Sequence, residues 1–450
     1  MSRSQEGLAR RLTLWDAVAI HVGIILGSGI FVAPDDVAAA FPGFSGVLPW
    51  ILGGAIATCG AFVYAECAVR IPETGGFFNY YRAALGEAPA FVAGWAGYVA
   101  TYPASIAAIA RVFGDVLPQA IPGLPAAPRL YAALALATVG GLNVAGVRLS
   151  ASVQRVLTAS KVGAVAAVLL AALVFASRAG TAPVAPAPSI PPMAGGFSAL
   201  ALAALVAVLW AYDGWSDVTL VAGEVREPRN IGRTVLLGSA ILVVLYGAVQ
   251  LGVTRVLGPA TAASTSPFTA TVERGLGPAA GQAVAWIVLL STLGAIHGTT
   301  FAASRIGYAM ARDGAFFRAF YKVHPTFHTP ARSVLALTAA AIVYVMATGF
   351  QELVFHFSFN VWLFYAATAI CLLRLRRWKT GEPLSWRAPG GPLAPLVVLA
   401  TAAAISGSLF VQSPRRAAIG LALLLSGFPV WGLWRWMRGR MTDPVLEEGR

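Results

Sequence analysis

Charge is what this chain has least of. Asp, Glu, Lys and Arg make up 11% of its 450 residues, while 58% are hydrophobic and the mean hydropathy is +0.72. An ordinary soluble domain carries about 25% charged residues, so that class is excluded. Cysteine is scarce too. Cys59, Cys67 and Cys371 all lie within apolar stretches, which leaves no disulfide framework and no metal-ligand spacing. No long polar or low-complexity segment divides the chain, and the proline-rich stretches, such as 181–193 and 258–277, fall between apolar runs. One domain over 1–450 is the expectation. The first ten residues, MSRSQEGLAR, lack the short apolar core and small-residue cleavage site of a secretory signal, so the first apolar segment is expected to be retained.

What the chain does have is hydrophobic length. A helix needs about 20 apolar residues to cross a hydrocarbon core of about 30 Å. Such stretches fall near 13–40, 46–69, 88–117, 129–145, 150–177, 197–223, 233–257, 280–311, 331–349, 352–374, 392–411 and 414–437. Helices are expected throughout, because an isolated strand leaves its backbone polar groups unsatisfied in lipid. The net charge of +13 would invite a nucleic-acid reading in a soluble protein, but its distribution is topological. With the N-terminus in the cytoplasm, most of the 32 Lys and Arg residues fall on inner segments. Twelve membrane spans with both termini cytoplasmic are therefore predicted, in a cell inner membrane and with no nucleic-acid partner.

Two of these spans are interrupted. GIILGSGIF, Gly23 to Phe31, places Gly-Ser-Gly inside the first, and LWAYDGWSDV, Leu209 to Val218, places Asp213 and Gly214 inside the sixth. Small residues also make helix-packing seams in membranes, but a second break five spans later is the pattern of an inverted-repeat transporter with unwound helices at its binding site. The predicted fold is all-α, with ten helices in two inverted five-helix repeats (1–180 and 195–378) and two peripheral helices (390–438). Unwinding exposes N–H donors on one half-helix and carbonyl acceptors on the other, a pairing suited to the two ends of a zwitterion.

Lys161 stands roughly 18 Å into the fifth span at 1.5 Å per residue, near mid-membrane, where an ammonium needs carbonyl or anionic partners. Asp213, at similar depth, has to be paired or functional. Glu66 and Glu224 are expected to make helix-end or loop contacts, EVREPRN (224–230) a turn with an inner-surface charge cluster, and His21, His297 and His356 structural hydrogen bonds.

The chain resembles the L-type amino acid transporters of the amino acid-polyamine-organocation superfamily. The resemblance runs through GIILGSGIF, IPETGGFFNYYRAALGEAPAFVAGW (71–95), SVQRVLTASKVGAV (152–165), LWAYDGWSDVTLVAGEV (209–225), LGAIHGTTFAASRIGYAMARDGAFF (293–317) and FHFSFNVWLFYAATAICLLRLRR (355–377), in that order. It implies a substrate carboxylate held by the N–H groups of Ser28 and Gly29, with the Ser28 hydroxyl assisting. The amino group would meet the carbonyls of Ile25, Trp210 and Asp213. Gly27, Ala211 and Gly214 complete the substrate-contacting set. Trp210 matches an aromatic gate, Trp362 an aromatic near the pocket, and Tyr212 joins the gating group. The Lys161 amine would stand where sodium-coupled relatives hold a cation, donating to the backbone between Gly23 and Leu26, which implies sodium-independent transport. Asp213 resembles members that accept cationic as well as neutral amino acids.

The resemblance further implies exchange of neutral L-amino acids by alternating access, with facilitated or proton-coupled transport as the alternatives and no cofactor or metal. Animal members bond a heavy chain through a cysteine in the loop after the third span. Residues 117–129 have none, so no disulfide-linked heavy chain is expected. Gly223-Glu224 replaces a pair of glutamates, and RNIG (229–232) departs from the family's RNIP. The composition and short termini suggest a bacterial protein. A membrane enzyme would need a nucleophile with a base or a carboxylate cluster, and a channel a charged ring or carbonyl filter; neither pattern is visible.

Overall fold

The computed structural model describes residues 8–41, 43–178, 196–258, 261, 266–378 and 384–441. The proline-rich segment 181–193, most of the charged C-terminal end and the first seven residues lie outside them. Among the described residues the chain is helical, and its only β contact is a bridge between Leu12 and Val225.

The helices are α1 (Leu14–Ile25), α2 (Gly29–Val32), α3 (Pro34–Ala40), α4 (Val47–Arg70), α5 (Phe77–Leu85), α6 (Glu87–Ala96), α7 (Tyr102–Ala120), α8 (Pro128–Val144) and α9 (Val147–Arg178). They continue with α10 (Gly196–Ala211), α11 (Arg229–Leu257), α12 (Pro267–Leu276), α13 (Ala280–Arg312), α14 (Ala331–Ala347), α15 (Phe350–Leu375), α16 (Leu393–Gln412), α17 (Pro414–Leu425) and α18 (Gly427–Met441). Each apolar stretch of the sequence is occupied by one or more of them. Seven helical segments among the described residues are long and apolar enough to cross a membrane. A π-helical turn, Gly97–Thr101, joins α6 to α7.

The outside of the bundle is greasy. Ile51, Leu52, Val244, Val343 and Val411 are each more than half exposed. The inside holds the polar side chains, among them Gln154, Lys161, Gln250, His297 and Arg305, all nearly inaccessible. That inversion suits a lipid surround, where apolar surface costs nothing and polar groups must find partners within the protein. Of the seven long apolar segments, α13 is the most enclosed, and it packs against α1, α7, α8, α9 and α14.

α1 begins with a reciprocal cap: Asp16 N–H donates to Thr13 Oγ1 at 3.2 Å, and Thr13 N–H to Asp16 Oδ2 at 2.9 Å. Leu12 N–H donates to Glu224 O at 2.9 Å and Arg226 N–H to Leu12 O at 3.0 Å, tying the entry to α1 to the far end of the sixth apolar stretch. The helix stops at Ile25 because Gly27 turns its N–H onto Ile25 O at 2.7 Å instead of continuing the ladder.

Candidate functional site

The two interruptions meet. Between α1 and α2 lie Leu26, Gly27 and Ser28; between α10 and a 3-10 segment at Asp217–Glu224 lie Tyr212 to Ser216. A Cβ on Gly29 would come within 2.7 Å of Ala211 Cα, and one on Gly214, whose φ is +102°, within 2.7 Å of Ile24 Cγ2. Glycine at these two positions allows each broken strand of backbone to lie directly on the other helix.

Around this crossing is a cavity lined by Ile24, Ile25, Gly27, Ser28, Gly29, Trp210, Ala211, Asp213, Gly214 and Asp217, closed by α7, α13 and α15. All eight residues assigned from the sequence to substrate contact line it. The N–H groups of Ser28 and Gly29 donate to no acceptor among the described residues, as expected at the start of a half-helix. The carbonyls are less free than the sequence suggested. Ile25 O accepts from Gly27 N–H and lies 3.1 Å from the Tyr246 hydroxyl, while Trp210 O accepts from Asp213 N–H at 3.1 Å. The Tyr246 hydroxyl is also 3.1 Å from Ala211 O. One phenol thus braces both breaks, its single proton serving either carbonyl.

Asp213 Oδ1 accepts from the Tyr365 hydroxyl at 2.7 Å. Four residues on, Asp217 Oδ1 accepts from the Tyr102 hydroxyl at 2.8 Å and from Ser216 Oγ at 3.0 Å. Trp362 is buried off the cavity, edge-on to Trp215 and Tyr365 with ring centroids 5.7 and 5.3 Å away. Tyr212 also lies behind the wall, its hydroxyl donating to Trp50 O at 3.2 Å.

Lys161 is fully buried outside the cavity, and its Nζ donates to Gly23 O and Leu26 O, each at 2.6 Å, and to Ser291 O at 3.3 Å. The single proton of the Ser291 hydroxyl serves either Leu26 O at 2.8 Å or Gly27 O at 3.0 Å. Three ammonium protons thus meet three carbonyls, an arrangement that satisfies a buried amine without a counter-ion.

Beyond the cavity, Glu224 departs from the loop role expected of it. It forms a doubly hydrogen-bonded pair with Arg305, at 2.8 and 3.0 Å, with both side chains inaccessible and the guanidinium 3.8 Å above the Phe301 ring. Neighbouring residues Thr74, Gly223, Tyr308 and Arg312 line a separate cavity. Glu66 joins α4 to α15 through Arg70 at 2.8 Å and Arg376 at 2.5 Å. His297 Nδ1 is 2.9 Å from Gln154 Oε1. His21 differs from its expected role: neither ring nitrogen has a hydrogen-bond partner among the described residues, and its ring fills the space over Gly238.

Sequence comparison adds a consistent identification. The profile described as "Amino acid permease" matches residues 12–430. The chain is 31% identical over 376 residues to the b(0,+)-type amino acid transporter 1 of Mus musculus, spanning 82% of this chain and 76% of that protein. It is 25% identical over 441 residues to the serine/threonine exchanger SteT of Bacillus subtilis, with 96% and 98% of the two chains covered. It is also 27% identical over 445 residues to the large neutral amino acids transporter small subunit 2 of Mus musculus, covering 95% and 81%. The chain is an integral membrane protein and belongs to the amino acid permease family.

Proposed function

We propose that this permease is a sodium-independent exchanger of neutral L-amino acids that also admits cationic ones, working by alternating access in a cell inner membrane. The observation that carries the reading is the convergence of two interrupted helices on one cavity, where unpaired N–H groups and two carboxylates face a common space. The substrate carboxylate binds at Ser28 and Gly29, and its ammonium lies toward Trp210 and Asp213. Trp210 closes over it from the outer side. Ile25, Gly27, Ala211 and Gly214 bring the backbone within reach, while Tyr212 and Trp362 support the walls. Lys161 occupies the carbonyl cluster that a coupling cation would otherwise fill.

The architecture that goes with this mechanism has twelve spans in one domain. Two inverted five-helix repeats (1–180 and 195–378) are followed by peripheral helices (390–438), and both termini are cytoplasmic. Breaks five spans apart support it, since an odd number of crossings reverses direction. The relatives' names support exchange and a mixed neutral and large-neutral substrate range. The protein acts as a transporter, not an enzyme.

Purified protein in proteoliposomes tests the reading. Unlabelled amino acid loaded inside accelerates entry of labelled alanine or serine, and replacing sodium by choline changes nothing. Equal uptake into loaded and empty vesicles would overturn exchange in favour of a facilitative or proton-coupled permease.

A further inference from the structure

The cavity contains one carboxylate more than a neutral zwitterion needs. Asp213 and Asp217 both line it, the first within the second break and the second at the start of the 3-10 segment that follows. Asp217 is 4% exposed. Its Oδ1 is held by Tyr102 and Ser216, whereas Oδ2 accepts no hydrogen bond among the described residues and is not sealed from the cavity. Thr299, 3% exposed, faces the same space with its hydroxyl making no hydrogen bond among the described residues. None of the residues lining the cavity is basic. Two buried basic side chains are spent elsewhere: the Lys161 protons go to three carbonyls, and Arg305 is committed to Glu224.

A carboxylate at membrane depth costs about 2.5–3.5 kcal/mol on insertion scales unless something compensates it. Hydroxyl donors from Tyr102 and Ser216 fix the direction of the Asp217 carboxylate but bring no positive charge. A cation entering with the substrate supplies it. We propose that Asp217 is a specificity-determining residue that reads a second cationic group, an ammonium or guanidinium on the substrate side chain, while Asp213 lies nearer the α-amino end. This rests on the amino acid transport reading above. The substrate class it selects is an α-amino acid whose side chain ends in a cation, with the chain length matched to the spacing between the backbone N–H groups at Ser28 and the free oxygen of Asp217. Thr299 and Ser105, whose side chains also border the cavity, supply hydroxyl acceptors for the remaining protons of that group.

The test measures inhibition of labelled alanine uptake in proteoliposomes by 2,3-diaminopropionate, 2,4-diaminobutyrate, ornithine and lysine, with norleucine as the uncharged reference. The parent is expected to prefer one member of the cationic series over norleucine by at least tenfold. Asp217→Asn, which keeps the acceptor oxygen for Tyr102, is expected to lower that ratio at least tenfold. Asp217→Glu reaches one methylene farther and is expected to move the optimum to a side chain one methylene shorter. A parent without cationic preference, or an Asn variant with the parent's ratio, overturns the assignment. So does an unmoved optimum in the Glu variant, which also covers the case in which the Asn variant does not fold. Alanine uptake by the parent keeps the outcomes separate: its absence refutes amino acid transport itself, whereas its presence without selectivity refutes only Asp217.

Discussion

Replacing Lys161 by Met keeps the length and apolar stem of the side chain while removing three donors. Their acceptors are unequally exposed to the loss. Leu26 O retains the Ser291 hydroxyl at 2.8 Å. Gly23 O has no such reserve, because the N–H of Gly27, its regular helical donor, is turned onto Ile25 O at 2.7 Å. A buried carbonyl left unpaired costs about 1–3 kcal/mol, and a hydrogen bond to a charged group contributes about 1.5–3 kcal/mol. The two figures overlap, so we take about 2–3 kcal/mol for the broken turn as a whole. At about 1.4 kcal/mol per decade, that is a roughly 30- to 150-fold loss in the population able to bind. The expected result for Lys161→Met is a rise of that size in the alanine concentration giving half-maximal uptake, with the protein still purified as a monodisperse species. Alanine-dependent thermal stabilisation should weaken in parallel. Half-saturation within threefold of the parent would refute the idea that the ammonium holds the first break open.

Three further changes have distinct signatures. Gly29→Ala forces a methyl to 2.7 Å from Ala211 Cα, whereas at Gly27 the nearest atom is 3.8 Å away; uptake should fall far more for Gly29→Ala than for Gly27→Ala, and equal loss would refute close packing as the reason. Tyr246→Phe removes one hydroxyl proton shared by Ile25 O and Ala211 O, and should cost about 1 kcal/mol, read as a roughly fivefold weaker half-saturation in uptake. Glu224→Gln strands the buried Arg305 guanidinium and should lower stability by about 3–5 kcal/mol, while the apolar pair Glu224→Leu with Arg305→Met recovers most of that; a double variant melting no higher than the single one in detergent would contradict this.

The sequence located the breaks because their signals are local. Gly-Ser-Gly and Asp-Gly disrupt a helix wherever they stand, and a lone lysine at mid-span announces its need for acceptors. Tyr246 and Ser291 carried no comparable signal. Each is an unexceptional residue in an apolar helix, YGAV in α11 and LLSTL in α13, and its importance comes from the crossing of helices remote in sequence. The same holds for Arg305, paired across 81 positions with Glu224. A glutamate near a turn reads as a surface contact until the fold places α13 over it. Asp217 was more accessible to reasoning, since a second carboxylate four residues after Asp213 in one apolar span is unusual on insertion cost alone.

The hydrogen bonds also show which half of the first broken helix is tied to α9. Along α9, Arg155 pairs with Asp16 at 2.8 Å, Thr158 Oγ1 donates to Ala19 O at 2.9 Å, and Lys161 donates to Gly23 O at 2.6 Å. Steps of three residues on α9 answer steps of three and four on α1, so the two helices run parallel and are laced over two turns. The outermost rung, with Arg155 half exposed, contributes little by itself, but the inner two are buried, and separating the helices would leave their donors and acceptors unpaired together. Among the described residues no side-chain hydrogen bond or ion pair ties α2 to α9; α2 packs on α3, α10 and α12. Any relative motion across the first break would therefore concentrate at Gly27 to Gly29, between a half-helix laced to α9 and one packed on α10, beside the unpaired N–H groups of Ser28 and Gly29.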